Sequence, residues 1–341
     1  MRLYKILMEP QSAFATPLKA DTLFGVFCWQ AAQDRDILTG GLEKWVEVYH
    51  QRPFVVFSSA WPCLQDGEGD IYALKRPDLP LSYFFAEKGE SRRERLKKRK
   101  DNQRRRWMLV GGDLRLDPAS AELINDGELA GRLLGSRGEG KAYAGVSAVS
   151  HEDERMHNSI NRMTMTTGEG FAPFSTPVTH YLPGCRLVIF VLVDEGATDI
   201  GRVCRALERV GVGGFGADAS TGCGRFKLWS WEEIPLPSCK GGNAAYCLGP
   251  VVPEGGSCRM AFFQPFTRFG RHGDWLAVSP DPFKNPVVMA DEGAVLVPAD
   301  PAALGRPYLG RAVSGLSKAL PETIHQGYAV HIPFRLELDH V

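Results

Sequence analysis

The run "LVIFVLV", residues 187–193, constrains this chain more than any other stretch. Seven apolar residues are too few to cross a bilayer and read as a buried strand. The neighbouring patterns say what surrounds it. "RLYKILMEP" alternates apolar and polar positions and stops at Pro10, as a first strand does. "DTLFGVFCWQAAQDRDILTG" places Leu23, Phe24, Phe27, Cys28 and Ala31 at helical spacing, with Thr16 or Asp21 as cap and Gly40–Gly41 as its end. "RPFVVFSSAWP" predicts a second strand ending at Pro62, and "IYALKRPDLPLSYFF" a loop with a short strand. "LINDGELAGRLLG" predicts a short helix and "KAYAGVSAVS" a strand. After the apolar run, "DIGRVCRALERVGVGG" sets Ile200, Val203, Cys204, Leu207 and Val210 on one helical face, with Gly211 as C-cap, and "GRFKLWSW" returns as a strand. Two strand–helix–strand units within residues 1–230 predict an α+β sheet of ferredoxin-like type. Residues 231–244, which include "EEIPLPSCKGGN", read as a linker, and the short apolar runs in residues 245–341 predict a second, β-rich unit.

A chain of 341 residues with 44% apolar content has enough material for two cores and no segment for a membrane. The N-terminal "MRLYKILMEPQS" carries Arg2, Lys5 and Glu9 and has no apolar signal core, which points to a cytoplasmic protein. The eight cysteines form no C-x-x-C pair and no zinc spacing with histidine, so reduced thiols, no disulfide and no structural metal are expected. The net charge of zero hides an uneven distribution. Residues 88–106, just before Trp107, hold 11 Lys/Arg and 3 Asp/Glu, a net of 11 − 3 = +8, against −8 for the remainder. Such a strip is either a footprint for a polyanion or a solvated insertion. With Leu96 as its only apolar residue, it has no face to dock on the body.

Two segments carry chemistry. One is the polar arm, residues 151–184, containing "HNSINRMTMTTGEG" and too long to be an idle connection. The other is the loop of residues 211–226, in which Gly214, Gly216, Gly222 and Gly224 space a G-x-G-x5-G-x-G pattern. Glycines let a backbone approach its partner closely, and clustered N–H groups make anion nests. The order helix, glycines, strand excludes a dinucleotide fold, whose loop follows a strand and opens a helix. The alternative is a tight connection without a ligand.

"TPLKADTLFGVFCW", "HNSINRMTMTTGEG" and "GFGADASTGCGRF", in that order, resemble the RAMP superfamily of CRISPR-associated proteins. Within it they are most similar to the fourth Csm subunit of type III-A effector complexes. The resemblance covers residues 1–230, and "HQGYAVHIPF" is compatible with it. It implies two ferredoxin-like (RNA-recognition-type) modules, the second irregular, and a projecting β-hairpin thumb that displaces a base at the tag–spacer boundary. It implies a non-catalytic scaffold without cofactor or metal, bound to the guide RNA's 5′ repeat-derived tag. The partners it implies are the large polymerase-like signature subunit, an adjacent backbone RAMP subunit, and target RNA near the thumb. The family often places Lys or Arg between its loop glycines; here Ala217, Asp218 and Cys223 stand there, and Asp218 repels phosphate unless turned away.

The RNA-binding candidates are Lys19, His157, Asn158, Asn161, Arg162, Thr164, Thr166, Gly214, Gly216, Ser220, Thr221, Gly222, Gly224, Arg225 and Lys227. Their amide, hydroxyl and cationic groups suit sugar, phosphate and base edges. Met163 and Met165 are candidate wedges, and Phe171 and Phe174 candidate stacking groups. Arg268, Arg271 and His272 form a smaller cationic loop, and His325 is a further candidate contact. Two readings compete with the scaffold. One is a RAMP endoribonuclease using His157 with Lys19 or Arg162; Tyr4 and His151 are scattered relative to that pair. The other is a protein-interaction module that never touches RNA. The acids Asp21, Glu152, Asp153, Glu154 and Glu169 lack any metal spacing.

Overall fold

The computed structural model describes residues 1–66, 69–85, 92–135, 146–167 and 170–337. The chain runs β1 (Arg2–Pro10), α1 (Ala20–Gln33), α2 (Leu42–Val48), β2 (Val55–Phe57), β3 (Trp61–Asp66), β4 (Gly69–Lys75), α3 (Leu81–Phe84), α4 (Arg92–Arg104), β5 (Trp107–Gly111), β6 (Leu123–Ile124) and α5 (Asp126–Gly135). It continues through β7 (Ser150–His157), β8 (Phe174–Tyr181), β9 (Arg186–Val193), α6 (Ile200–Gly213) and β10 (Phe226–Ile234). The remaining strands are β11 (Ala244–Cys247), β12 (Cys258–Phe262), β13 (Pro265–Arg268), β14 (Val287–Ala290), β15 (Val295–Pro298), β16 (Tyr308–Gly310) and β17 (Tyr328–Phe334). The architecture is α+β with antiparallel sheets.

The apolar run is β9, and residues 187–193 are all buried. It lies between β1 and β3 in a sheet of order β10–β1–β9–β3–β4–β5–β6, with β2 also paired to β9. α1 and α6 pack together on one face of this sheet, where Phe27 meets Phe57 and Phe226 meets the backbone of α6 at Gly211. Asp199 caps α6 by accepting from the Arg202 N–H at 2.9 Å, and Val203, Cys204, Leu207 and Val210 are buried as their spacing predicts.

The second unit, a five-stranded sheet of order β12–β15–β11–β17–β16, shares one hydrophobic core with the first. Tyr246 Oη donates to the Lys75 carbonyl (2.6 Å) and Trp61 Nε1 to that of Leu248 (3.2 Å). Gln326, fully buried, accepts from the Phe57 N–H (3.0 Å) and donates to the Phe57 carbonyl (2.8 Å), standing in for a strand partner. Polar pairs bind the start of α1 to this unit. Lys19 Nζ meets Asp291 (2.5 Å) and Glu292 (2.7 Å), and Asp21 accepts two bonds from Arg268 (2.6 and 3.0 Å). Burial alone would push the Asp21 carboxyl up; Arg268, with His325 and Lys19 nearby, outweighs it and holds the group below the usual carboxylate range.

Several boundaries differ from the sequence reading. α1 stops at Gln33, short of Gly40–Gly41, and its N-cap is Lys19, without a side-chain cap from Thr16 or Asp21. Pro62 opens rather than closes a strand, because it is the second residue of β3. Gly211 lies inside α6; the cap is Gly214, at φ +101°. β10 reaches Ile234, paired with Leu3, inside the segment read as linker. The strand expected at residues 141–150 falls partly outside the described residues, and 146–149 are not strand. The basic strip is ordered over Arg92–Arg104 as α4, with Lys98, Arg99 and Lys100 exposed. Its end is held by acids of α5: Arg106 bonds Asp126 (2.8 Å) and Arg105 bonds Glu128 (3.5 Å). Among the described residues no helix is long and apolar enough to cross a membrane.

His325 and His331 are buried in this second unit. Burial pushes each down to about 4, against the pull of Asp21 on His325. Both are neutral when folded and become protonated below about pH 6.5 when unfolded. The unfolded chain therefore binds more protons in this window, and stability falls as pH drops from about 6.5 to 4, by up to about 3 kcal/mol per histidine. Urea unfolding across that range is expected to show the loss, and His331→Gln to reduce the slope. A flat profile contradicts this account.

Candidate nucleic-acid interface

The polar arm is a β-hairpin. β7 and β8 pair from Ser150↔Tyr181 to His157↔Phe174, a ribbon about 24 Å long. It belongs to neither large sheet, and most of its outer half is exposed, while Val178 near its base is buried. At the tip, Asn161 and Thr166 form a bridge, Asn161 Oδ1 accepts from the Met163 N–H (2.9 Å), and Thr164 and Thr166 hydroxyls meet at 2.9 Å. These bonds fix the turn, which presents polar and apolar side chains alike to solvent. Met163 is 93% exposed, Met165 75% and Ile160 53%. Asn158, Arg162, Thr164 and Thr166 are exposed at the same end.

The glycine loop is shaped by its own chain. Gly214, Gly216, Gly222 and Gly224 all have positive φ. A Cβ on Gly224 would fall 2.2 Å from the Phe215 carbonyl oxygen, and one on Gly216 2.4 Å from Thr16 Cβ. Phe215 and Gly224 close the loop with an N–H···O bond of 2.9 Å. The loop is then tied to the segment after β1: Gly224 N–H donates to Ala13 (2.7 Å), Gln11 N–H to Arg225 (2.8 Å), and Ala217 N–H to Thr16 Oγ1 (2.9 Å). Gly222 differs, since a Cβ there would meet open space. Ser220, Thr221, Arg225 and Lys227 are exposed around the loop.

The arm and the loop meet. Arg155 Nη1 donates to Cys223 Sγ (2.9 Å) and Nη2 to the Thr221 carbonyl (2.9 Å). His157 Nε2 lies 2.8 Å from Thr176 Oγ1 and 3.1 Å from Asp218 Oδ2, with its ring stacked on Phe174 at 5.1 Å. At the base of the hairpin, Phe14 and Thr179 exchange backbone bonds of 2.9 and 2.8 Å, and the Phe14 ring packs edge-on to Tyr181. Asp218 therefore turns to the arm. Cys223 accepts from Arg155, where a lysine would repel it.

Other candidates are placed elsewhere. Lys19 is engaged by Asp291 and Glu292, and its ammonium sits 4.5 Å from the Phe266 ring centre. Arg268 is held by buried Asp21, His272 is buried against Ser317 (2.6 Å), and His325 is buried, so only Arg271 of that cationic loop is exposed. The pairing of His157 with Lys19 is not assembled. Glu169 lies outside the described residues, and Phe171 is half-buried. Among the described residues no group of three or more His, Cys, Asp or Glu is placed to hold a metal. A cavity of about 690 Å³ opens between the units, lined by Lys75, Asp78, Trp107, Gln264 and Glu292, and none of the motif residues line it. The sequence reading missed Arg155; a cation two residues before His157 on one strand face was the available signal.

The larger sheet carries α1 and α6 on one face, the second unit packs against α1, and the hairpin arm is latched to the glycine loop. Among solved structures the chain is similar to one in the Csm3–Csm4 subcomplex of the type III-A CRISPR–Cas interference complex, with TM-score 0.58 and 14% identity over 98% of this chain and 100% of that one. It is similar to one in the Csm1–Csm4 cassette with pppApA (TM-score 0.53, 14% identity, 99% of each chain) and with cA4 (0.53, 14%, 98% of each). The component common to both assemblies is Csm4, and the fold of this chain is the Csm4 fold, in line with the resemblance read from its motifs. No family model and no curated protein matches the sequence.

The glycines make separable demands. Gly224→Ala adds a clash to a strained φ and is expected to cost above about 4 kcal/mol in unfolding experiments. Gly222→Ala meets only the left-handed φ penalty, about 1–2 kcal/mol. Equal losses would contradict the geometry.

Proposed function

We propose that this chain is a non-catalytic, RNA-binding subunit of a type III CRISPR ribonucleoprotein. It caps the 5′ repeat-derived tag of the guide RNA and docks the large signature subunit, in antiviral defence. One observation carries the reading: three segments far apart in sequence, around Thr16, residues 155–166 and residues 214–225, converge on one surface. That surface is lined by exposed hydroxyls and cations (Ser220, Thr221, Arg225, Lys227 and Arg162), which suit phosphates and sugars. The hairpin is the thumb, and its exposed Met163, Met165 and Ile160 are the groups that wedge between bases. The tag lies along the loop and the target RNA passes beneath the thumb. The order β10–β1–β9–β3, with α1 after β1 and α6 after β9, is the ferredoxin-like pattern, and the second unit is its irregular counterpart.

Csm4 is assembled with Csm1 in one group of the similar structures and with Csm3 in another. By that analogy this chain docks the large polymerase-like subunit and the adjacent backbone RAMP subunit. The endoribonuclease reading is disfavoured by the engagement of Lys19 and by the tie of His157 to Thr176 and Asp218. The reading as a protein-interaction module is disfavoured by the cations ringing the loop. The exposed Lys98, Arg99 and Lys100 of α4 supply a second cationic surface for the polyanion.

The test is binding of a tag-bearing single-stranded RNA, followed by fluorescence anisotropy across a salt series. Arg162→Ala and Arg225→Ala are each expected to weaken binding and to lower the salt slope by about 0.7, one phosphate contact on a single strand. Incubation in EDTA is expected to leave the RNA intact. Unchanged affinity and slope in both variants would reject the cradle, and cleavage lost in His157→Ala would reject the scaffold.

A further inference from the structure

β10 leaves the glycine loop directly and forms the edge of its sheet. Phe226 and Leu228 are buried on the face covered by α6, so the alternating Arg225 and Lys227 are exposed on the other face. The pairing with β1 then slips by one residue: Met8 faces Leu228 and Leu7 faces Ser230, which leaves Trp229 in a bulge. A bulge re-aims its side chain. Here it sets the Trp229 indole, 52% exposed, beneath the guanidinium of Arg186, 4.0 Å from the ring centre. Arg186 comes from β9, two strands away. Its Nη1 donates to Gln65, and its Nε is buried without a hydrogen-bond partner. Glu9 stands opposite Lys227 without an ion pair, and among the described residues no carboxylate pairs with Arg186, Arg225 or Lys227.

Elsewhere in the structure, cations placed beside acids are ion-paired, as at Lys5, Lys19, Arg52 and Arg268. A row of three unpaired cations, one of them stacked on an open indole, is complementary to a polyanion that also has flat rings. Single-stranded RNA combines the two: bases stack on aromatic rings and guanidinium planes while cations follow the backbone. The row is continuous with the loop that ends at Arg225.

We propose that β10 extends the RNA path. A nucleotide adjoining those held by the glycine loop stacks on the Trp229–Arg186 pair, with its phosphates flanked by Lys227 and Arg225. This rests on the RNA-binding reading of the loop and adds a base-stacking site to it. Trp231 provides an internal control. It is 48% exposed but pairs with Ile6, which puts it on the α6 face, away from the row.

The experiment uses the full chain and a labelled single-stranded RNA, with Arg162→Ala as reference for the cradle. Trp229→Ala is expected to weaken binding about 5- to 100-fold, the loss of one base–aromatic stack. Trp229→Phe, which keeps a ring, is expected to restore most of it, and Trp231→Ala to leave affinity unchanged. If Trp229→Ala binds like the parent while Arg162→Ala is weakened, the stacking site is rejected and the cradle stands. If Trp229→Ala leaves RNA affinity intact but abolishes capture of the purified large subunit without RNA, the surface is a protein contact and the proposal is rejected. If neither variant changes RNA binding, cradle and stacking site fall together.

Discussion

Gly224 lies so close to Phe215 that no side chain fits between them, and the functional surface is built around that approach. The contact closes residues 214–225 into a compact loop with buried Phe215 at its centre. Once closed, the loop can hold the segment after β1 through Ala13, Ser12 and Thr16. That segment in turn carries Phe14, which anchors the base of the hairpin through Thr179 and Tyr181. The close approach that only glycine allows thus sets where the arm stands. The aromatic packing and the backbone bonds at the base hold it.

The departures from the family's loop chemistry acquire a structural meaning on this view. Asp218 and Cys223 stand where the resemblance leads one to expect cations, and both face the arm. The exposed cations nearby are Arg225, Lys227 and Arg162, with Lys98, Arg99 and Lys100 exposed on α4. On the proposed RNA-binding reading, the loop would grip by shape and backbone while the flanks supply the charge. The two units are joined in a comparable way: Gln326 completes β2, and Asp21–Arg268 and Lys19–Asp291 fix the start of α1 against the second sheet. With one continuous core beneath them, the units set the loop and hairpin on a rigid base.

What was legible in the sequence is what local pattern encodes. The seven-residue apolar run gave β9 its place inside the sheet, the spacing of Val203, Leu207 and Val210 gave α6, and the glycine spacing marked a loop of positive-φ residues in which Gly214, Gly216 and Gly224 have no room for a Cβ. The arm stood out by its length and polarity, and the β-hairpin that the resemblance implies there is formed by β7 and β8. The losses are long-range. Nothing near Lys19 or Asp21 signals carboxylates and a guanidinium about 250 residues away, and a lysine at the mouth of a helix reads as a free cation until the second unit is folded onto it. Arg155 was overlooked because its partners, Cys223 and the Thr221 carbonyl, lie in a segment 66–68 residues on. Trp229 reads as an ordinary strand residue until the bulge turns it outward.

The central claim is that one surface, where the arm and the glycine loop meet, holds RNA. Ultraviolet crosslinking of the assembled ribonucleoprotein, with adducts located by mass spectrometry, tests it most directly. The account predicts adducts concentrated in residues 155–166 and 214–229, on both sides of the latch formed by Arg155 and His157. Adducts confined to α4 and the second unit, with none on the arm or the loop, would contradict it.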